Sequence, residues 1–195
     1  MPREARHYFE GGFFHLHSRG IDKRTIFAKP ADYQYCINLI RSHLPEFNLV
    51  IHHYCLMLNH LHLLIQVQDP KAPAQFMKKI LQNYACYFRK TYNSNGFVFQ
   101  NRYKCHLLDK ADSLLRCSRY VDRNPLHHEA TNDLFSYPWS SFSCYATGKP
   151  DGIIMYNPVY LAMADDPKQR QQAYTDYVLT NQPYDDLIDD VLYGE

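Results

Sequence analysis

Short apolar runs alternate with amphipathic stretches along the first two thirds of the chain. The segment FFHLH within residues 12–17 reads as a strand, and Ser18, Arg19 and Gly20 supply the turn that ends it. Over residues 32–44, Tyr33, Cys36, Ile37, Ile40 and Leu44 recur at helical spacing, and Pro45 forces a stop. Two β-branched and aromatic runs, residues 47–56 and 61–68, flank Leu58 and Asn59 and predict an antiparallel hairpin that Pro70 and Pro73 close off. A second amphipathic helix is expected over residues 73–92, then a turn at 93–96 and a strand-like stretch at 97–108. A third helix should run from Ala111, capped by Asp109 or Asp112, to the break at Asn124-Pro125.

This order of strand, helix, strand, strand, helix, strand, helix predicts an α+β fold: a ferredoxin-like antiparallel sheet with helices packed on one face. Past Tyr137 the pattern weakens. Residues 165–182 suit one more helix, and the Asp-rich last dozen residues suit a surface-bound or frayed end. The expected division is one domain over residues 1–145 and an acidic, partly helical C-terminal extension over residues 146–195.

Composition supports a folded body, since apolar residues make up 46% and charged residues 21% of the 195. Apolar runs fall well short of the roughly 18 residues of a membrane helix, and the N-terminus has no signal-peptide core, so a cytoplasmic protein without membrane contact is expected. The six cysteines are scattered without metal-knuckle or disulfide-framework spacing, which suits reduced, buried thiols. Charge changes the picture more. Residues 1–126 hold 18 Lys and Arg against 9 Asp and Glu, or +9, and residues 127–195 hold 3 against 11, or −8. A basic unit followed by an acidic one admits a polyanion as partner of the first.

Side chains alternate faces along a strand, so His60 and His62 point the same way while Leu61, Leu63 and Ile65 point the other. Two buried neutral imidazoles need several hydrogen-bond partners, whereas one divalent cation satisfies a nitrogen on each. Packed or surface histidines are the plain alternative. Spacing alone cannot choose, because His15-Leu16-His17 has the same form on the first strand. The adjacent pairs His52-His53 and His127-His128 diverge if extended and are poorer ligands.

The run CLMLNHLHLLI over residues 55–65 resembles the HUH signature of the single-strand tyrosine transposases, whose usual form is close to LMPNHVHLL. The likeness extends over most of the chain. Gly11 to Leu16, Arg19-Gly20 and Ile26-Phe27 look like that family's first strand and turn; FQNRYK at 99–104 is similar to its WQxRFK; YVDRNP at 120–125 resembles its YIxxNP; YPWSS at 137–141 matches outright.

What the resemblance implies is a DNA transposase and single-strand endonuclease, with residues 1–145 as its catalytic domain. Tyr120 falls on the family's nucleophile, and Asn124 on a third metal ligand beside His60 and His62. On a helix Tyr120 and Asn124 share a face, with Arg116 one turn earlier. The structural alternatives are a core aromatic for Tyr120 and a helix-ending Asn before Pro125 for Asn124. Single-stranded or hairpin DNA is the implied substrate, cut and rejoined through a 5′-phosphotyrosine with Mg or Mn as the divalent metal. Arg102, Lys104, Arg116, Arg119 and Arg123 are the candidates for backbone phosphate contacts. Some such enzymes are dimers that share the tyrosine helix, so a homodimer is a further expectation to test.

Three departures stand out. Leu58 occupies the usual proline position, Leu126-His127-His128 replaces the common VRA, and the acidic tail matches nothing in the family pattern. Two rivals share the motifs: a metal-dependent hydrolase using water, for which no HExxH spacing exists, and a catalytically silent DNA-binding module of the same fold.

Overall fold

The structure, a computed structural model, describes residues 6–182. In chain order the elements are β1 (Phe13–Arg19), α1 (Pro30–His43), β2 (Leu49–Met57), β3 (His60–Val67), α2 (Ala72–Tyr92), β4 (Lys104–Leu108), α3 (Ala111–His127), α4 (Phe142–Thr147), α5 (Pro158–Leu161) and α6 (Pro167–Leu179). The strands form one sheet in the order β2-β3-β1-β4, with every neighbouring pair antiparallel. Because β3 lies between β1 and β2, the β1-α1-β2 unit is split, which is the ferredoxin-like arrangement expected from the element order.

Strand alternation sorts the side chains into two layers. Phe14 and Leu16 of β1 and Leu61, Leu63, Ile65 and Val67 of β3 join Ile37 and Ile40 of α1 and Phe76, Met77, Ile80 and Tyr84 of α2 in the main core. Each such side chain contributes roughly 1.5–3 kcal/mol on burial, so this face carries most of the folding drive. Here α1 and α2 form the one-face helical layer. The opposite face meets α3: Cys55, Met57 and Leu64 pack against Leu114, Cys117, Tyr120 and Val121. That second layer is what turns the histidines of β3 toward the tyrosine helix.

A bulge in β2 adjusts the same face. The register against β3 shifts between Ile51 and His53, so His52 is extra to the ladder. His52 then packs by Phe13 and His53 by Tyr145, on the α3 side, rather than diverging as in a regular strand.

Three local expectations are corrected. Neither Asp109 nor Asp112 caps α3; Lys110 holds the N-cap in extended conformation without a side-chain cap, and Asp112 pairs with Arg116 at 2.9 Å. Pro125 does not end the helix but sits in its last turn, where its fixed φ suits the helix and only one donor is lost, while His128 N–H still reaches Asn124 O at 3.0 Å. The strand expected over 97–108 is confined to Lys104–Leu108; the preceding stretch is a loop tied to β1 by Gln100 N–H donating to Arg19 O.

The chain past Tyr137 is better built than its pattern suggested. Leu134, Phe142, Tyr145, Tyr160, Tyr174 and Val178 form a third cluster joining α4, α5 and α6. The boundary expected at residue 145 therefore falls inside α4. The helix expected over 165–182 is α6, whose N-cap Asp166 accepts from Gln169 N–H at 2.9 Å. The Asp-rich last dozen residues lie outside the described residues. Among the described residues no helix is long and apolar enough to cross a membrane.

Candidate active site

The α3-facing side of the sheet is lined with imidazoles. His60 and His62 come from β3, His15 and His17 from β1, and His106 from β4, because residues of one parity share a face and the register sets His17 against His62 and His15 against His106. His15, His17, His60 and His62 are all buried. The His60 and His62 rings stand perpendicular with centroids 4.8 Å apart.

Above them α3 presents Tyr120 and Asn124, four residues apart and both buried. The Tyr120 ring lies edge-on to His62 at 5.6 Å and to His15 at 6.0 Å. Asn124 Oδ1 lies 3.0 Å from His60 Nε2. The two imidazoles, the amide and the phenol expected from the sequence thus meet on one face of one chain.

The donor set fits a divalent cation. His60 Nδ1 lies 2.6 Å from Asn59 Oδ1 while its Nε2 faces Asn124 Oδ1, and a neutral imidazole has only one N–H to offer two oxygens. The Asn124 Nδ2 is buried without a hydrogen-bond partner among the described residues. The His60 mismatch disappears if Nε2 and the amide oxygen are ligands rather than partners of each other, because Nδ1–H then donates to Asn59 Oδ1. Among the described residues no three His, Cys, Asp or Glu side chains are grouped to hold a metal. The set reaches three donors only with the Asn124 amide.

Burial keeps the neighbouring histidines neutral, as ligation requires. Desolvation, reinforced by the other histidines, pushes the His62 and His15 imidazolium forms well below the usual pKa. Desolvation, then His106 and Lys104, brings His17 to about 3, and desolvation, partly offset by the hydrogen bond to Met155 O, brings His52 to about 4. These groups take up protons in the unfolded chain before they do so in the folded one, so stability is full above about pH 6.5 and falls as pH drops. Each adds up to about 1.4 kcal/mol per pH unit. In metal-free buffer the urea midpoint is expected to fall steeply between pH 7 and pH 5, and an unchanged midpoint would contradict this.

The five basic candidates part ways. Arg102, before β4, and Lys104, at its start, are exposed, and Arg116 is exposed and paired with Asp112. Arg119 is instead buried, donating to Tyr177 O at 2.9 Å and to Thr180 O. Arg123 donates to Val178 O, Leu179 O and Asn181. Both cap the C-terminal carbonyls of α6, because the α3 stripe that carries them faces that helix. The expectation of solvent-facing phosphate contacts at Arg119 is corrected accordingly.

A polar hub that motif reading missed supports α3 from behind. Asp122 accepts from His53 Nδ1–H at 3.0 Å, Ser141 Oγ–H at 2.6 Å and Tyr174 O–H at 2.7 Å. His53 Nε2 in turn accepts from Asn157 Nδ2 at 2.9 Å, which also donates to Ser118 Oγ at 3.0 Å. The second serine of YPWSS was legible as a motif, but its partner on α3 was not.

In this chain a ferredoxin-like sheet carries paired imidazoles beneath a helix-borne tyrosine. A family model described as "Transposase IS200 like" matches residues 12–124, more than half of the chain. The chain belongs to this IS200-like, HUH single-strand tyrosine transposase family. No protein of curated function matches it. Among solved structures it is similar to a REP-associated tyrosine transposase bound to a REP hairpin, with a TM-score of 0.63 and 16% identity over 80% of this chain and 93% of that one. A bacterial tRNA(His) guanylyltransferase-like protein in complex with GTP gives 0.42 at 11% identity, over 66% of this chain and 70% of that one, too low to bear on the fold.

Proposed function

We propose that the chain cuts and rejoins single-stranded, hairpin-bearing DNA, with Tyr120 as the nucleophile and a divalent Mg or Mn ion held by His60, His62 and Asn124. The observation that carries this reading is the approach of the Tyr120 ring to His62 at 5.6 Å, with Asn124 Oδ1 3.0 Å from His60 Nε2, all within one chain.

In this reaction the Tyr120 oxygen bonds to the scissile phosphorus, the bond to the 3′-oxygen breaks, and the phenolic proton is lost while the leaving oxygen gains one. The products are a 5′-phosphotyrosine and a free 3′-hydroxyl. Because the phosphoester is conserved, the 3′-hydroxyl of a second end can reverse the step without ATP. A phenol of pKa about 10 is a weak nucleophile at neutral pH, so its surroundings must favour phenolate character. When bound, the cation supplies Lewis-acid polarisation of the phosphate. The protein's part is to keep Tyr120 fixed on α3, to keep His62 neutral, and to limit water in the buried face. Arg102, just before β4, and Lys104, its first residue, are exposed cations for the DNA backbone, and Phe97, 81% exposed in the preceding loop, offers a face for an unpaired base.

The test is incubation of the protein with a hairpin-bearing single-stranded oligonucleotide and Mn, followed by a denaturing gel and mass spectrometry of the adduct. A covalent adduct mapped to the peptide containing Tyr120, and absent with EDTA, is expected. Cleavage without an adduct would point to a water-using hydrolase, and binding without cleavage to a silent DNA-binding module; either overturns the proposal.

A further inference from the structure

The first strand carries a second His-x-His, and the register makes it more than a sequence coincidence. His15 and His62 lie on neighbouring strands with their ring planes 7° apart, and His15 Nε2 is 2.9 Å from His62 Nδ1. Near-coplanar rings with two nitrogens at that distance describe an N–H···N hydrogen bond along the ring-plane lone pair.

We infer that His15 is a positioning residue for His62: its Nε2 accepts a hydrogen bond from His62 Nδ1–H and so turns the His62 Nε2 lone pair toward the site. This rests on the reading of His62 as a metal ligand. A neutral imidazole has one donor and one acceptor, so the direction of this single bond decides what the far nitrogen of His62 can do. If His62 donates, its Nε2 is bare and can ligate. If His15 donates, His62 Nε2 carries the proton and cannot. Metal-bound histidines commonly donate their second N–H to an outer acceptor that fixes ring and tautomer. That acceptor is often a carboxylate or carbonyl; here it is an imidazole.

Two features suit His15 to the task. It is fully buried, so water does not compete with its Nε2 for the His62 N–H. Its ring is also wedged, with His17 at 5.7 Å, His106 at 6.2 Å and Tyr120 edge-on at 6.0 Å. One imidazole therefore touches both the proposed ligand and the proposed nucleophile, and a shift of His15 would disturb the two together.

The test uses the full chain and Mn binding followed by EPR of the free ion, with cleavage as a second readout. His15→Phe keeps a ring but removes the acceptor, and is expected to weaken Mn binding by about 10- to 100-fold. Cleavage should fall with it and be recovered largely by raising Mn, while hairpin binding in EDTA stays near wild type and the melting temperature drops by only a few degrees. His15→Gln, whose side-chain oxygen can accept the same N–H, should recover Mn binding to within about threefold of wild type. In the unsubstituted protein with Mg, the 15N ring shifts should show His62 protonated at Nδ1, a reading that needs no variant to fold. Unchanged Mn affinity in a folded His15→Phe, or an Nε2–H tautomer of His62, would overturn the inference. The double substitution His60→Ala and His62→Ala separates the two levels: if it still binds Mn as wild type does, the ligand assignment fails, and if it alone loses Mn, only the role of His15 fails.

Discussion

Replacing Tyr120 by phenylalanine is expected to abolish the covalent adduct and to lower strand cleavage by at least about 10⁴-fold, because loss of a nucleophile removes the reaction path rather than weakening it. The substitution is conservative in packing. Tyr120 is buried against Cys117, Val121 and Leu64, and its ring edge meets the His62 and His15 rings; phenylalanine retains all of that surface. The melting temperature should therefore change by no more than a few degrees, and hairpin affinity by no more than about threefold. Gel-resolved cleavage, filter binding and thermal melting on the same preparation check the three parts. Of the 17 tyrosines in the chain, Tyr84, Tyr145, Tyr160 and Tyr174 are as buried as Tyr120 or more so, yet they belong to other clusters. Adduct formation at full rate in Tyr120→Phe would mean that another hydroxyl attacks, and would end the assignment.

Asp122→Ala is expected to have the largest effect on stability. The carboxylate is fully buried and accepts from His53, Ser141 and Tyr174, which come from β2, the segment before α4, and α6. Truncation leaves three buried donors without their acceptor, for a cost of about 3–5 kcal/mol. For a chain of this length that lowers the melting temperature by about 10 °C or more. Asp122 also lies between Tyr120 and Asn124 on α3, so a helix released from this hub should misplace both, and cleavage should fall by about 10²-fold even below the melting transition. Asp122→Asn, which keeps the size but reverses one donor–acceptor pairing, should lie between wild type and alanine. A melting curve for Asp122→Ala that overlays the wild-type curve would show that the hub does not hold α3.

The first three strands, α1 and α2 were legible because period-2 and period-3.6 apolar patterns report which face of an element is buried, and those faces form the main core. The His60/His62 pair followed from the same alternation, and Tyr120 and Asn124 from helical spacing together with the YIxxNP-like motif. The caps failed where local propensity misled: Asp109 and Asp112 suit an N-cap by type, but Lys110 occupies the position and Asp112 is drawn to Arg116. Pro125 reads as a terminator, yet α3 carries it in its last turn, where its fixed φ suits the helix.

By itself, then, the chain of residues determined the element order, the buried face of each strand, the family and the chemical types brought to the site. Which side chains meet was decided only by tertiary structure. Sheet register brings His15 beside His62, the β2 bulge turns His53 toward α3, and the packing of α6 against α3 withdraws Arg119 from solvent. Such contacts join residues many tens of positions apart, and periodicity carries no information about pairing between elements: it says which way a side chain points, and only the packed fold says what it points at.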